Sequence, residues 1–155
     1  MVELIETVVS ALTAAGLHAA AAKPATFSPR LQSPAIAVSV EEMETAPGGF
    51  SAYLGMQDGR PIYGLRLHGT LRLDVLSPTG EGAEMCREAM DAAAAVLAAS
   101  GIGIYNLSAF APEYDRTDDC FQGKLLAQCR LWLCESEPEA EVGTVEHFIL
   151  KGALQ

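Results

Sequence analysis

The stretch from Leu65 to Leu76 constrains the fold more than any other part of the chain. From position 65 to position 75, leucine, valine or glycine occupies every second position, and arginine, histidine, threonine or aspartate lies between. A period of two predicts a β-strand with one apolar and one polar face. At about 3.4 Å per residue such a strand is about 40 Å long. It therefore needs partner strands and a helical cover.

Other segments predict those partners and that cover. Two segments have apolar residues at helical spacing and are each followed by a glycine that ends the helix, namely Val2–Ala15 before Gly16 and Glu81–Ser100 before Gly101. Ser77 or Thr79 is the predicted cap of the second helix. Further strands are predicted over residues 35–41, 50–56, 102–110, 121–135 and 144–150. The secondary structure of Leu17–Ala22 is ambiguous in the sequence. Its alanines favour continued helix, whereas Gly16 favours a short strand, which is the interpretation that we prefer.

The order of these segments predicts the fold class. We expect a single α+β domain over residues 1–155, with a mostly antiparallel twisted sheet and two helices packed on one face. Gln57-Asp58-Gly59-Arg60-Pro61 has hairpin-turn chemistry. We therefore expect a long protruding β-hairpin at about 50–64, and the C-terminal strand at about 144–150. Lys23–Pro34 is predicted to be a loop, and 113–119 a polar turn.

The charge balance argues against two classes of partner. Ten basic and twenty acidic residues give a net charge of −10. Phosphate groups are bound by clustered lysine and arginine, so we expect neither specific nucleic-acid binding nor attachment to an anionic membrane. No apolar run approaches the about 20 residues that span a bilayer. The first residues, Met-Val-Glu-Leu-Ile-Glu, lack the basic start of a secretory signal, so we do not interpret them as one.

Metal sites find little support in the sequence. The four cysteines form no C-x-x-C pair and are interpreted as free thiols in or near the core: Cys86, Cys120, Cys129 and Cys134. A zinc site that joins Cys129 and Cys134 with His147 is the weaker alternative, because a fourth close ligand is lacking. Asp115, Asp118 and Asp119 could hold calcium, but they lack the EF-hand spacing, and a solvated turn is preferred.

Catalytic motifs are also lacking in the sequence. His68 falls between Arg66 and Arg72 on the polar face of the long strand. We interpret it as a solvated sheet residue rather than a general base. There is no G-x-S-x-G nucleophile elbow, and Gly101-Ile102-Gly103 follows a helix rather than a strand. We therefore expect no enzyme activity, no catalytic residue, no cofactor and no metal.

Several short segments together resemble a known family. They are Gly49-Phe50-Ser51-Ala52-Tyr53-Leu54-Gly55, Tyr63-Gly64-Leu65-Arg66-Leu67, Leu73-Asp74-Val75-Leu76-Ser77-Pro78, Glu113-Tyr114-Asp115 and Glu146-His147-Phe148-Ile149-Leu150-Lys151-Gly152. They resemble small prophage proteins that are similar to the tail terminator, or tail completion, family of long-tailed phages. The resemblance implies an α+β fold with two helices against a sheet, a protruding hairpin and assembly as rings, and it brings no catalytic residue.

Two functions therefore compete. The first is a structural virion protein of the phage tail that forms a homo-oligomer, with six copies implied by the resemblance, and that contacts other tail or neck proteins. Its expected self-association residues are Tyr53, Leu54, Ile62 and Tyr63, which are too apolar for a free-standing hairpin. The second is a small-molecule- or peptide-binding α+β module, or an enzyme of unknown activity. A host accessory or immunity-type protein is a third, weaker interpretation.

Overall fold

The computed structural model of the protein describes residues 2–21, 32–47, 52–135 and 148–152. Within these residues the chain forms two α-helices and a seven-stranded, mostly antiparallel sheet, which confirms the predicted α+β class. In chain order the elements are α1 (Val2–Ala14), β1 (His18–Ala21), β2 (Ala35–Thr45), β3 (Ala52–Gln57), β4 (Arg60–Pro78), α2 (Gly82–Ala99), β5 (Ile104–Asp115), β6 (Cys120–Glu135) and β7 (Phe148–Gly152).

The sheet is built around β4. Its main strand order is β1-β2-β4-β6-β5. One side of β4 pairs with β3 over residues 60–64 and with β2 over residues 67–76. The other side pairs with β6, which in turn pairs with β5 and, nearer its C-terminal end, with β7. Only the β1–β2 pair is parallel among these strands.

Both helices cover the same face of the sheet, as the alternating pattern predicts. Leu71, Leu73 and Val75 point to this face and are fully buried. They belong to one core cluster with Val8 of α1 and Leu97 of α2. The apolar stripe predicted for α2 (Cys86, Met90, Ala93 and Leu97) is buried throughout, and so is the predicted apolar face of β6, apart from the half-buried Leu133. We call this the helix face and the opposite side the open face.

Several predicted boundaries are confirmed. α1 ends before Gly16, whose φ of +84° is the left-handed conformation expected of a glycine that ends a helix. Gly101, with φ of +71°, follows α2 in the same way. The ambiguous segment 17–22 contains the strand β1, so the strand alternative is correct.

Three predictions about boundaries are wrong. Ser77 does not cap α2, because it is still paired with Phe121 inside β4, and the residue before α2 makes no side-chain capping bond. β2 continues past Glu41 to Thr45 through a bulge, because Glu42 and Glu44 pair with Thr70 and His68 and can face solvent on the open face. β5 continues past Pro112, again through a bulge, and the polar turn starts only at Arg116. Proline is tolerated there because β5 pairs with β6 alone among the described strands.

Some predictions concern residues outside the described ranges. They include most of the loop Lys23–Pro34, Gly48 and Gly49 of the turn before β3, and His147 of the alternative zinc site. The described part of the last predicted strand is β7.

Candidate interaction surfaces

The exposed large apolar side chains of the described residues fall into two groups. One group lies on the β3–β4 hairpin and consists of Tyr53, Met56 and Tyr63. The other lies on β5 and consists of Tyr105, Leu107, Phe110 and Tyr114. We call them the hairpin surface and the β5 surface. β3 borders the side of β4 that also pairs with β2, whereas β5 lies beyond β6. The two surfaces therefore lie towards opposite lateral edges of the sheet, and not on its two opposite faces.

The hairpin surface is organised by a pair of tyrosines. Tyr53 and Tyr63 are direct cross-strand partners, and their ring centroids lie 5.9 Å apart in an edge-to-face arrangement. They are 50% and 55% exposed. The guanidinium of Arg66 donates a hydrogen bond of 2.7 Å to the carbonyl oxygen of Tyr53, which ties β3 to β4. Two rigid aromatic rings at a fixed spacing are well suited to contact a partner.

The other two predicted self-association residues lie deeper. Leu54 and Ile62 are half-buried, whereas Tyr53 and Tyr63 are exposed. Leu54 packs beside Gly64: a Cβ at Gly64 would lie 2.8 Å from Cδ1 of Leu54 and would overlap the carbonyl oxygen of Leu133. A glycine is therefore needed where β4 and β6 approach each other. The hairpin surface consequently presents its tyrosines, while its aliphatic residues support them.

The β5 surface combines aromatic rings with cationic side chains of β6. The guanidinium carbon of Arg130 lies 5.0 Å from the ring centroid of Tyr105, and the ammonium of Lys124 lies 5.7 Å from that of Phe110. The ring of His68 lies 5.9 Å from Tyr105. His68 is thus half-buried against an aromatic ring on the open face.

The turn after β5 uses its carboxylates internally. The hydroxyl of Tyr114 donates a 2.7 Å hydrogen bond to Asp119, which raises the pKa of Tyr114 above its ordinary value. The carboxylate of Asp115 accepts a 2.8 Å hydrogen bond from the backbone N–H of Thr117. Among the described residues no group of three or more histidine, cysteine or acidic side chains could hold a metal ion. Asp115 and Asp119 therefore accept hydrogen bonds from within this turn and its flanking strand.

A charge network occupies the middle of the open face. Arg72 binds Asp74 through two guanidinium nitrogens, with distances of 2.9 Å and 3.0 Å, and this hydrogen bonding raises the pKa of Arg72. The amide of Gln122 donates to the same carboxylate at 3.3 Å. Lys124 pairs with Glu41 at 3.3 Å. These residues hold one another in place, with Asp74 itself only 8% exposed.

An open groove of about 470 Å³ runs from this network to β5 and the turn that follows it. Its lining includes Arg72, Asp74, Lys124, Phe110 and Tyr114. The groove offers paired charges beside aromatic rings, but the guanidinium of Arg72 and the carboxylate of Asp74 are already bound to each other.

The four cysteines are free, as predicted. The thiols of Cys86 and Cys129 donate 3.4 Å hydrogen bonds to the carbonyl oxygens of Val75 and Gly69. Burial raises the pKa of both thiols, that of Cys129 to about 11. They are therefore protonated at neutral pH and poor nucleophiles. Cys129 and Cys134 point to opposite faces of β6, because they pair with the odd-numbered Gly69 and the even-numbered Gly64 of β4.

A smaller hollow of about 250 Å³ lies at the other edge of the sheet, between α1 and the β1–β2 pair. Four alanines line it together with Ile36, Thr13, Leu17 and His18: Ala19, Ala20, Ala35 and Ala37. Small side chains on an edge strand leave room for a larger side chain from outside.

The sequence predicts exposed apolar residues on the β3–β4 hairpin, but it predicts neither the β5 surface nor the hollow. Alternation does not distinguish an edge strand from a central one, so it gives no reason to single out Tyr105, Leu107 and Phe110. The signal that could have found the edge was Pro112, which is rare in a central strand. The role of Ala19 and Ala20 could be recognised only from the fold, which brings them beside Ala35 and Ala37.

Comparison with known proteins leaves the chain without an assigned family, since no protein-family model and no curated protein matches it. In the residues that the structure describes, neither helix has the combination of length and apolar character that crossing a membrane requires.

Proposed function

We propose that this protein is a non-enzymatic structural subunit that self-assembles, of the tail terminator or tail completion type, and forms a ring at the end of a phage tail tube. The observation that carries the proposal is the division of the exposed large apolar side chains into two groups on opposite sides of the sheet. A closed ring repeats one contact between two different surfaces of each subunit, and this chain offers two such surfaces.

The sequence resemblance supports the same function from a different direction. It covers segments in the hairpin, in β4, at the end of β5 and in β7. The tail tube, the neck proteins and six copies come from the resemblance alone, so they belong to the proposal. The virion tail, after assembly in the bacterial cytoplasm, is the compartment that this function requires.

Molar mass in solution tests the proposal. At roughly 0.5 M salt, where the Debye length is about 4–5 Å and repulsion between copies is weak, light scattering should give a mass several times that of the monomer. Tyr53→Ser/Tyr63→Ser should lower this mass, because it removes both exposed rings of the hairpin surface. The control Ala95→Ser/Ala98→Ser changes two exposed residues of α2 and should assemble like the wild type.

The result that counts against the proposal is also clear. A wild-type chain that remains monomeric at every salt and protein concentration is not a ring subunit. If the wild type assembles and the tyrosine variant assembles equally well, self-assembly stands but the hairpin surface is not part of the contact.

A binding module is the second candidate, and the open groove favours it. The groove has the size of a small-molecule site and contains Arg72, Asp74 and Lys124 beside Phe110. A metabolite screen that follows the melting temperature tests this function, since a ligand that binds only the folded state raises it. A rise that disappears in Arg72→Met would favour the binding module; no rise with any ligand favours the structural subunit.

A further inference from the structure

Two rows of directly paired residues cross the sheet from β1 to β5. One row is Ala20, Ala37, Asp74, Lys124 and Phe110, and the other is His18, Ala35, Leu76, Gln122 and Glu113. At the β5 end the two rows carry Phe110 and Glu113, and at the β1 end they carry Ala20 and His18.

The first row ends in an apolar side chain at each edge. Phe110 is 49% exposed on the outer strand β5. At the opposite edge Ala20 is also exposed, and both residues share the open face with Asp74 and Lys124. If a second copy continues the row, its Phe110 ring lies against the methyl group of Ala20, and this contact removes apolar surface from water.

The second row ends in groups that attract each other. His18 and Glu113 are both exposed. An imidazole N–H donates to a carboxylate, and a protonated imidazole adds an opposite charge. If a second copy continues the row, its Glu113 lies beside His18 of the first.

Strand directions allow the sheets of two copies to join. β1 runs parallel to β2, and each of the steps from β2 to β4, from β4 to β6 and from β6 to β5 reverses direction. β1 and β5 therefore run in opposite directions. A neighbour in the same orientation would set its β5 antiparallel to β1, and no described strand occupies the outer side of either one.

We propose that β5 of one copy pairs with β1 of the next copy, with Phe110 against Ala20 on the open face and Glu113 beside His18. The inference rests on the proposed self-assembly and names its joint. Since the two halves of the joint differ, every copy has one of each half and can bind two neighbours.

Two charge variants test the joint by complementation. Phe110→Glu disrupts the β5 half of the joint, and Ala20→Glu disrupts the β1 half. Both positions are exposed, so each variant should keep the melting temperature of the wild type. Each variant alone should be monomeric, since every contact needs both halves. An equimolar mixture still has one intact half from each variant and should form heterodimers with a two-fold higher molar mass.

Ala98→Glu is the matched control, because it adds the same charge on the exposed side of α2 and should assemble like the wild type. If the wild type assembles and either joint variant assembles equally well, this joint is wrong, while the proposed function stands. Two monomeric variants that remain monomeric when mixed also overturn it. A wild type that never assembles overturns the proposed function and the joint together.

A covalent trap gives an independent measurement. Ala21 and Ala109 end a third row, with Val38, Leu73 and Leu125 between them, and both are exposed. Under mild oxidation Ala21→Cys/Ala109→Cys should give a ladder of disulfide-linked oligomers, because each copy then has one thiol at each half of the joint. Either single variant should give no band above a dimer. A double variant that stops at the dimer contradicts the joint, even if the charge variants fail to fold.

Discussion

At the scale of single residues, Gly123 sets how closely α2 approaches the sheet. A Cβ at this position would overlap the sulfur of Met90 and would lie 3.2 Å from the sulfur of Cys86. Both sulfur atoms belong to the buried stripe of α2. A glycine in β6 therefore gives α2 the room to pack directly on the strand.

Gly123→Ala should destabilise the protein by about 1–3 kcal/mol, because an added methyl in a well-packed core forces side chains to move. Met90→Ala should also destabilise it, by leaving a cavity. In the double variant the new methyl occupies part of that cavity, so its loss should be smaller than the two single losses together. Urea unfolding of the four proteins measures this coupling. Strictly additive losses would show that Met90 is not the obstacle.

A second residue-scale prediction concerns the buried thiol of Cys129. Its pKa in the folded protein is about 11, whereas an unfolded cysteine titrates at about 8.5. Between these values the unfolded chain loses the proton first, so stability should fall as pH rises from about 9 to 11, at up to about 1.4 kcal/mol per pH unit. Below that window the effect is absent.

Cys129→Ala isolates this contribution, and the half-buried Cys134→Ala is its control. Both variants lose a sulfur atom, but only the first should show a flatter decline of unfolding free energy between pH 9 and 11. The test is the slope against pH, not the absolute stability, since the packing loss in Cys129→Ala is independent of pH. Equal slopes in all three proteins would contradict the role of Cys129.

At the scale of elements, the turn between β3 and β4 depends on backbone conformation. Asp58 and Gly59 have φ of 51° and 77°, the pattern of a two-residue turn that matches the twist of the flanking strands. Gly59→Ala should destabilise the hairpin by about 1 kcal/mol, because a residue with a Cβ is strained there.

Gly80→Ala is the matched control for that variant. Gly59 and Gly80 both have open space where the new methyl would go, but Gly80 lacks the positive φ. Its substitution should be neutral or slightly stabilising, since alanine loses less backbone entropy on folding. The melting temperatures of Gly59→Ala and Gly80→Ala measure the difference. Equal shifts would mean that backbone strain does not cause the loss of stability in Gly59→Ala.

The same elements show what sequence patterns can predict and where they fail. The period of two identified β4 because one of its faces is buried under both helices. The predicted cap at Ser77 is wrong because pairing with Phe121 keeps this residue in the strand. Its hydroxyl has no hydrogen-bond partner among the residues that the structure describes. The predicted end of β2 at Glu41 is wrong for the same physical reason, since Glu42 and Thr45 pair with β4 although their side chains are polar. In each case pairing between distant strands outweighs local preference.

For the interaction surfaces, the pairing register between strands limits what can be predicted from the sequence. The exposed tyrosines of the hairpin could be predicted from their apolar character, and the structure places them in contact. The row of paired residues from Ala20 to Phe110 could not be predicted from the sequence, because it depends on four successive pairings between strands. A change of one residue in any of them would turn the side chains to the other face.

At the scale of the whole molecule, net charge controls when copies meet. Each chain carries a net charge of −10, so long-range repulsion opposes association at low salt. We expect mostly monomers or small oligomers in dilute, low-salt solution, and growth as salt rises to roughly 0.5 M, where the Debye length is about 4–5 Å. Light scattering across a salt series measures this. Oligomers that dissociate as salt rises would show that attraction between charges, rather than apolar contact, holds the copies together.

The position of β4 at the centre of the sheet also sets the order of events during synthesis. Its pairing with β6 joins residues between about 40 and 70 positions apart, from Pro78 with Cys120 to Gly64 with Cys134. A ribosome that has made the chain as far as α2 has released β4 without the partner for one of its long sides. Unpaired strand edges recruit other chains, so each nascent copy is most prone to aggregate until β6 emerges. The late arrival of β6 makes folding slow, since distant segments must meet before their contacts stabilise the chain.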